Sequence, residues 1–96
     1  MTIDESLDLH RDAIQSLSSQ HRVRNPRVFG SVARGDAVSN SDLDILVDPT
    51  PQTSLLDLGG LQMDLEELLG VSVDVVTPSD LPASFREQAL REARPL

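Results

Sequence analysis

Between Ser41 and Asp48 the chain reads Ser-Asp-Leu-Asp-Ile-Leu-Val-Asp, and this stretch constrains the fold more than any other. Leu43, Ile45 and Val47 fall on one face of an extended strand, and Asp42, Asp44, Leu46 and Asp48 on the other. A strand with one aliphatic face and one acidic face needs a core on one side and an open surface on the other. Pro49-Thr50-Pro51 ends it, because two prolines so close together cannot continue a hydrogen-bonded ladder.

The second strand signal, Val71 to Val76, alternates in the same way. Val71, Val73 and Val75 share a face, and Ser72, Asp74 and Val76 share the opposite one. Between the strands Ser54 and Asp57 have the spacing of a capping box. Leu55, Leu58, Leu61, Leu65, Leu68 and Leu69 then mark an apolar helical stripe, with Gly70 placed as its C-cap. Gly59-Gly60 disfavours the helix locally, so Leu61 is an alternative start.

Ile3, Leu7, Ile14 and Leu17 give one amphipathic helix ending near Ser18–Gln20. Residues 21–27 read as a polar, basic connector. Pro26 excludes a central strand there, so a strand is expected to begin at Arg27. Val28-Phe29 runs into a Gly30-Ser31 turn and one helical turn over Val32-Ala33-Arg34, closed by Gly35-Asp36. Phe85, Ala89 and Leu90 anchor a last helix from about Ser84 to Arg94. The expected order is α, β, short α, β, α, β, α. That is an α/β or α+β domain, a short mixed sheet of three to four strands flanked by helices, occupying residues 1–96 as one unit.

With 96 residues there is room for one core. Only Phe29 and Phe85 are aromatic, so the core is aliphatic. There is no cysteine, which excludes a disulfide framework, a thiol nucleophile and a Cys-ligated zinc site. No apolar run reaches the length of a membrane span, and the acidic Met1–Glu5 start is unlike a secretory signal. A cytoplasmic protein is expected. The eight basic residues are all Arg, against eleven Asp and five Glu, for a net charge of −8. So acidic a chain, without stacking aromatics, is not expected to bind nucleic acid directly.

Asp42 and Asp44 project from one strand face, and parity puts Asp74 on the same side of the sheet. Two such carboxylates about 4 Å apart repel by roughly 4 kcal/mol at an effective dielectric near 20. A hard divalent cation relieves that repulsion, and Mg²⁺ commonly bridges carboxylates to substrate phosphates. Asp-x-Asp also arises by chance in an Asp-rich chain, with Asp42 capping a turn after Asn40-Ser41. An EF-hand is excluded because Ile45-Leu46-Val47 is apolar where that loop needs oxygen ligands. The Gly30-Ser31 turn adds a place where a backbone amide and a hydroxyl approach a phosphate, with Arg34 one turn further on.

Phe29-Gly30-Ser31-Val32-Ala33-Arg34-Gly35-Asp36 and Ser41-Asp42-Leu43-Asp44-Ile45-Leu46-Val47 resemble the signature of the minimal nucleotidyltransferases, a branch of the polymerase-beta-like superfamily. That pattern is Gly-Ser, about ten residues (here 32–41), Asp-x-Asp, and a third carboxylate in a later strand, here Asp74. The resemblance implies that Gly30 and Ser31 hold the β/γ-phosphates of a nucleoside triphosphate, with Arg34 an accessory contact. It implies that Asp42, Asp44 and Asp74 are the catalytic, metal-binding acids for two Mg²⁺ ions. Val32 stands where many members carry a basic residue.

The same resemblance implies a two-gene module in which the small protein is the antitoxin of a HEPN-domain ribonuclease toxin and transfers AMP from ATP to it. The competing expectation is a catalytically idle antitoxin that neutralises the toxin by occlusion, and a weaker one is a stand-alone nucleotide or Mg²⁺ sensor. Association with itself or with a partner chain is expected of so small a domain. His10 and His21, with no carboxylate partner evident, are not expected to be ligands. Arg22, Arg24 and Arg27 are read as a solvated connector, and Asp36 and Asp48 as turn residues.

Overall fold

Helix formation starts at the second residue. Thr2 accepts from the Glu5 amide at 3.1 Å and its own amide donates to the Glu5 carboxylate at 3.2 Å, a reciprocal box that satisfies two orphan donors. The computed structural model describes residues 2–36 and 42–96. Asn40 and Ser41, and with them any turn capped there, lie outside the described residues. The expected single N-terminal helix is two, α1 (Ile3–Leu9) and α2 (Arg11–Gln20). The break is at His10, whose Nδ1 donates to the Ser6 carbonyl at 2.9 Å. A side chain competing for the helix's own carbonyl is a recognised cause of such interruptions.

Strand β1 (Val23–Phe29) begins four residues earlier than Arg27 and lies inside the sheet, with Pro26 in it. The register explains how. Arg24 faces Asp48 and Arg27 faces Leu46, so β1 advances three residues while its partner advances two. Pro26 sits in that bulge, where its missing N–H interrupts nothing, and Asn25 takes a positive φ of 55° beside it. The stretch is therefore strand from Val23 on, with Arg22 and Arg24 exposed as expected but Arg27 not. Arg27 is buried and donates to the Asn25 carbonyl at 2.7 Å and to Asp48 at 3.0 Å.

A short helix, α3 (Gly30–Arg34), follows directly, and then β2 (Leu43–Pro49), α4 (Leu55–Leu69), β3 (Val73–Val76), α5 (Ala83–Glu92) and a two-residue edge strand β4 (Arg94–Pro95). The sheet order is β3-β2-β1-β4; β2 and β3 are parallel, and the other two pairs antiparallel. This is the mixed sheet flanked by helices that the alternation predicts, with the fourth strand now located.

The capping box and Gly70 hold α4 as expected. Ser54 accepts from the Asp57 amide at 3.2 Å, its own amide donates to Asp57 at 2.9 Å, and Gly70 takes the left-handed conformation. Gly60 is explained by packing: a Cβ there would stand 2.8 Å from the His21 ring. That ring bonds Asp64 at 2.6 Å, so His21 has the carboxylate partner that was not evident in the sequence.

Leu61 and Leu65 are the buried centre of the stripe, packed with Ile14, Val28, Ile45 and Val75. Burial of each leucine contributes on the order of 2 kcal/mol. Leu55 does not join them and is 86% exposed; at 100° per residue it lies about 80° from Leu65, in the first turn. Leu56 and Met63, on the opposite side of the helix, are also exposed.

The other sheet face carries a smaller core of Phe29, Leu46, Leu81 and Ala89. Helix α5 covers this face only in part, and the uncovered part holds the acids.

Candidate functional site

Three elements converge where β1 ends. Phe29, its last residue, lies opposite Asp44 in the β1–β2 ladder. The chain then turns at Gly30, with φ +73°, straight into α3. A Cβ on Gly30 would run into the Asp44 carboxylate, whose Cγ would be only 3.3 Å from it. Both the left-handed backbone and the approach to Asp44 therefore require glycine at this position. Asp74 is level with Asp44 on the neighbouring parallel strand.

Gly30, Ser31, Arg34, Asp44 and Asp74 line one pocket of about 400 Å³. Five of the six predicted site residues are thus brought together. Asp42, immediately before β2, is exposed and is not part of the pocket lining. It is still near enough to act electrostatically. The Asp44 carboxyl is held above the usual carboxylate range, first by burial, then by the negative charges of Asp74 and Asp42, with Arg34 opposing them.

Arg34 is not free in the pocket. It donates to Glu92 at 3.3 Å and to Asp36 at 3.4 Å, and these bonds raise its pKa while Glu92 is held below the usual range by Gln88 and Arg34. Asp36 is therefore an ion-pair partner of a site residue. Asp48 lies at the far end of β2 against Arg27 and Asn25. Arg94 braces α3 from below, donating to the Val32 carbonyl at 3.2 Å and to Asp4 at 2.9 Å.

Among the described residues no three acidic or histidine side chains form a ready-made metal cage. The donor set is nonetheless of the kind Mg²⁺ takes: one or two carboxylates from the protein, with the remaining positions left to phosphate oxygens and water.

Sequence reasoning did not find the rest of the lining. Phe29, Val76, Leu81 and Phe85 complete the pocket. Phe85 and Leu90, at 40% and 44% exposure, are not the core anchors of α5, a part taken by Ala89 alone of the three. Parity along β3 places Val76 on the Asp74 face, but nothing local in the sequence shows that α5 sets Phe85 beside it.

Comparison with known proteins agrees with this geometry. The nucleotidyltransferase domain family matches residues 7–96. The protein adenylyltransferase MntA of Thermococcus cleftensis is 41% identical over 90 residues, covering 94% of this chain and 88% of the relative. A solved structure provisionally described as a minimal nucleotidyltransferase superposes with a TM-score of 0.88 at 49% identity, over 100% of this chain and 97% of the other. Two crystal structures share the fold at lower identity. One is a toxin–antitoxin with AMP-PNP (TM-score 0.72, 22% identity, 88% of this chain and 69% of the other). The other is the toxin–antitoxin MntA–HepT (TM-score 0.67, 20% identity, 92% and 69%).

Proposed function

The chain belongs to the nucleotidyltransferase domain family, which makes it an enzyme of that class, and on that premise we propose that it transfers AMP from ATP to a HEPN-domain toxin and so acts as the antitoxin. The observation that carries this reading is the contact of the Gly30 backbone with the Asp44 carboxylate, level with Asp74, in a pocket shared with Ser31 and Arg34. A turn that presents amides and a hydroxyl is set directly against an acidic pair, which is what a triphosphate and its cation need side by side. The adenylyltransferase relative and the toxin–antitoxin neighbours support the choice of AMP and of partner.

Each residue then has a task. Gly30 admits the close approach, and the Ser31 hydroxyl and the adjoining amides hold the β- and γ-phosphates. Arg34 exchanges one of its carboxylate bonds for a phosphate oxygen. Asp42, Asp44 and Asp74 are the residues that would hold Mg²⁺, and Asp74 or a neighbouring carboxylate oxygen receives the proton of the attacking hydroxyl. When bound, Mg²⁺ supplies charge neutralisation at the phosphates and a lower pKa for that hydroxyl. The acceptor oxygen forms a bond to the α-phosphorus, the bond from that phosphorus to the bridging oxygen breaks, and pyrophosphate leaves. Residues 1–96 act as one nucleotidyltransferase domain, in the cytoplasm. Among the described residues no helix is long and apolar enough to cross a membrane.

The test is co-expression with the HEPN-domain protein of the neighbouring gene, scoring growth and the intact mass of that protein. A gain of one or more AMP units with wild type, absent with Asp42→Asn/Asp44→Asn, together with loss of protection in the variant, is the expected result. Protection by the variant with no mass gain in either case overturns the reading in favour of neutralisation by occlusion.

A further inference from the structure

The pocket has two chemically different walls. Ser31, Arg34, Asp44 and Asp74 supply all of its charged and hydroxyl side chains, while Val76, Leu81 and Phe85, with the buried Phe29 behind, supply its apolar ones. Val76 lies on the same strand face as Asp74, two residues on and so about 7 Å further along β3. Leu81 and Phe85 follow through a 3-10 turn at Pro78–Asp80 and the start of α5.

Several polar groups of this segment are bonded within it. Arg86 donates to the Pro78 carbonyl at 2.7 Å and to the Leu81 carbonyl at 3.0 Å. The Asp80 carboxylate accepts from the Thr77 amide and hydroxyl, each at 3.0 Å, and the Phe85 amide donates to the Pro82 carbonyl at 3.0 Å. What Val76, Leu81 and Phe85 offer the pocket is therefore apolar surface and one aromatic face.

Resting on the nucleotidyltransferase reading above, we propose that Phe85, with Leu81 and Val76, is the platform on which the nucleobase of the triphosphate lies. The base is chosen by stacking and apolar contact, not by hydrogen-bond readout. A stacking platform accepts any base with a π-face and favours the larger ones. Purine triphosphates are therefore taken over pyrimidine ones, with adenine and guanine poorly distinguished. Phe85 is a specificity-determining residue on the apolar side of the pocket that holds the acids.

Calorimetric titration in Mg²⁺ of ATP, GTP, CTP and tripolyphosphate, a probe with phosphates and no base, separates the possibilities. Wild type is expected to bind ATP and GTP within about threefold of each other and CTP more weakly. Phe85→Ala is expected to weaken ATP on the order of tenfold, with tripolyphosphate unchanged and Phe85→Trp restoring ATP affinity. Equal ATP affinity in wild type and Phe85→Ala overturns the platform, as does a parallel loss of tripolyphosphate or a strong preference for adenine over guanine. If Phe85→Ala does not fold, the comparison of Phe85→Trp with Phe85→Leu carries the same contrast. Wild type that binds neither ATP nor tripolyphosphate contradicts the nucleotidyltransferase reading itself, a result distinct from the failure of the platform alone.

Discussion

Asp44 and Asp74 stand side by side as a register pair in the parallel β2–β3 ladder, two like charges held level by the backbone of the sheet. Burial and this neighbour raise the Asp44 carboxyl above the usual range. The folded state therefore binds that proton more tightly than the unfolded chain, and the sign follows. In metal-free buffer, stability falls as pH rises from the ordinary carboxylate value through the raised one. Asp44→Asn should raise the Tm at neutral pH and lose that advantage in acid, while cutting transfer at least about 100-fold. Thermal melts across pH, paired with a transfer assay, check both parts.

Gly30 and Gly35 both have positive φ, but only Gly30 touches anything a Cβ would meet. Gly30→Ala should lose transfer and be destabilised by roughly 1–3 kcal/mol, from backbone strain and the collision with Asp44. Gly35→Ala carries the strain alone and should keep most of its activity. Denaturant melts and transfer rates on the two variants make the comparison.

Gly59 and Gly60 offer a second contrast inside α4. Gly59→Ala meets open space and should stabilise by up to about 1 kcal/mol. Gly60→Ala must displace the His21 ring from its bond with Asp64, so its gain should be smaller or reversed. Chemical denaturation reads the difference.

The capping carboxylate of α4 has the opposite pH sign to Asp44. Asp57 is held below the usual carboxylate range, first by the Ser54 backbone bond and then, against the cost of burial, by Arg22. Its contribution is present above the ordinary carboxylate pKa and is lost as pH falls through the lowered one. Asp57→Asn should therefore flatten the acid side of the stability profile, and Ser54→Ala should cost about 1 kcal/mol.

The leucines of α4 divide by position. Leu65→Ala should cost roughly 2–5 kcal/mol, whereas Leu56→Gln, at 87% exposure, should stay within about 0.5 kcal/mol. Urea melts distinguish them.

Much of this arrangement was legible in the sequence because it depends on local periodicity. Alternation alone placed Asp44 and Asp74 on the face opposite Ile45 and Val75, and Ser54, Asp57 and Gly70 marked both ends of α4. Apart from the helix break at His10, which is local, the misread parts depend on contacts between distant residues. Pro26 is tolerated within the sheet only because a bulge absorbs it, and that bulge exists only in register with Asp48 and Leu46. His21 acquires Asp64 as a partner across 43 positions of sequence. The Glu92 bond to Arg34 spans 58 positions, and Phe85 reaches the pocket only once α5 has docked on Leu46 and Phe29. None of these leaves a periodic trace.

The most direct measurement is label transfer from ATP carrying phosphorus-32 at either the α or the γ position, with Mg²⁺ and the HEPN-domain partner. Label from the α position alone, in the partner protein and absent with Asp44→Asn, is the predicted result. Label from the γ position, or none from either with an intact complex formed, contradicts the account.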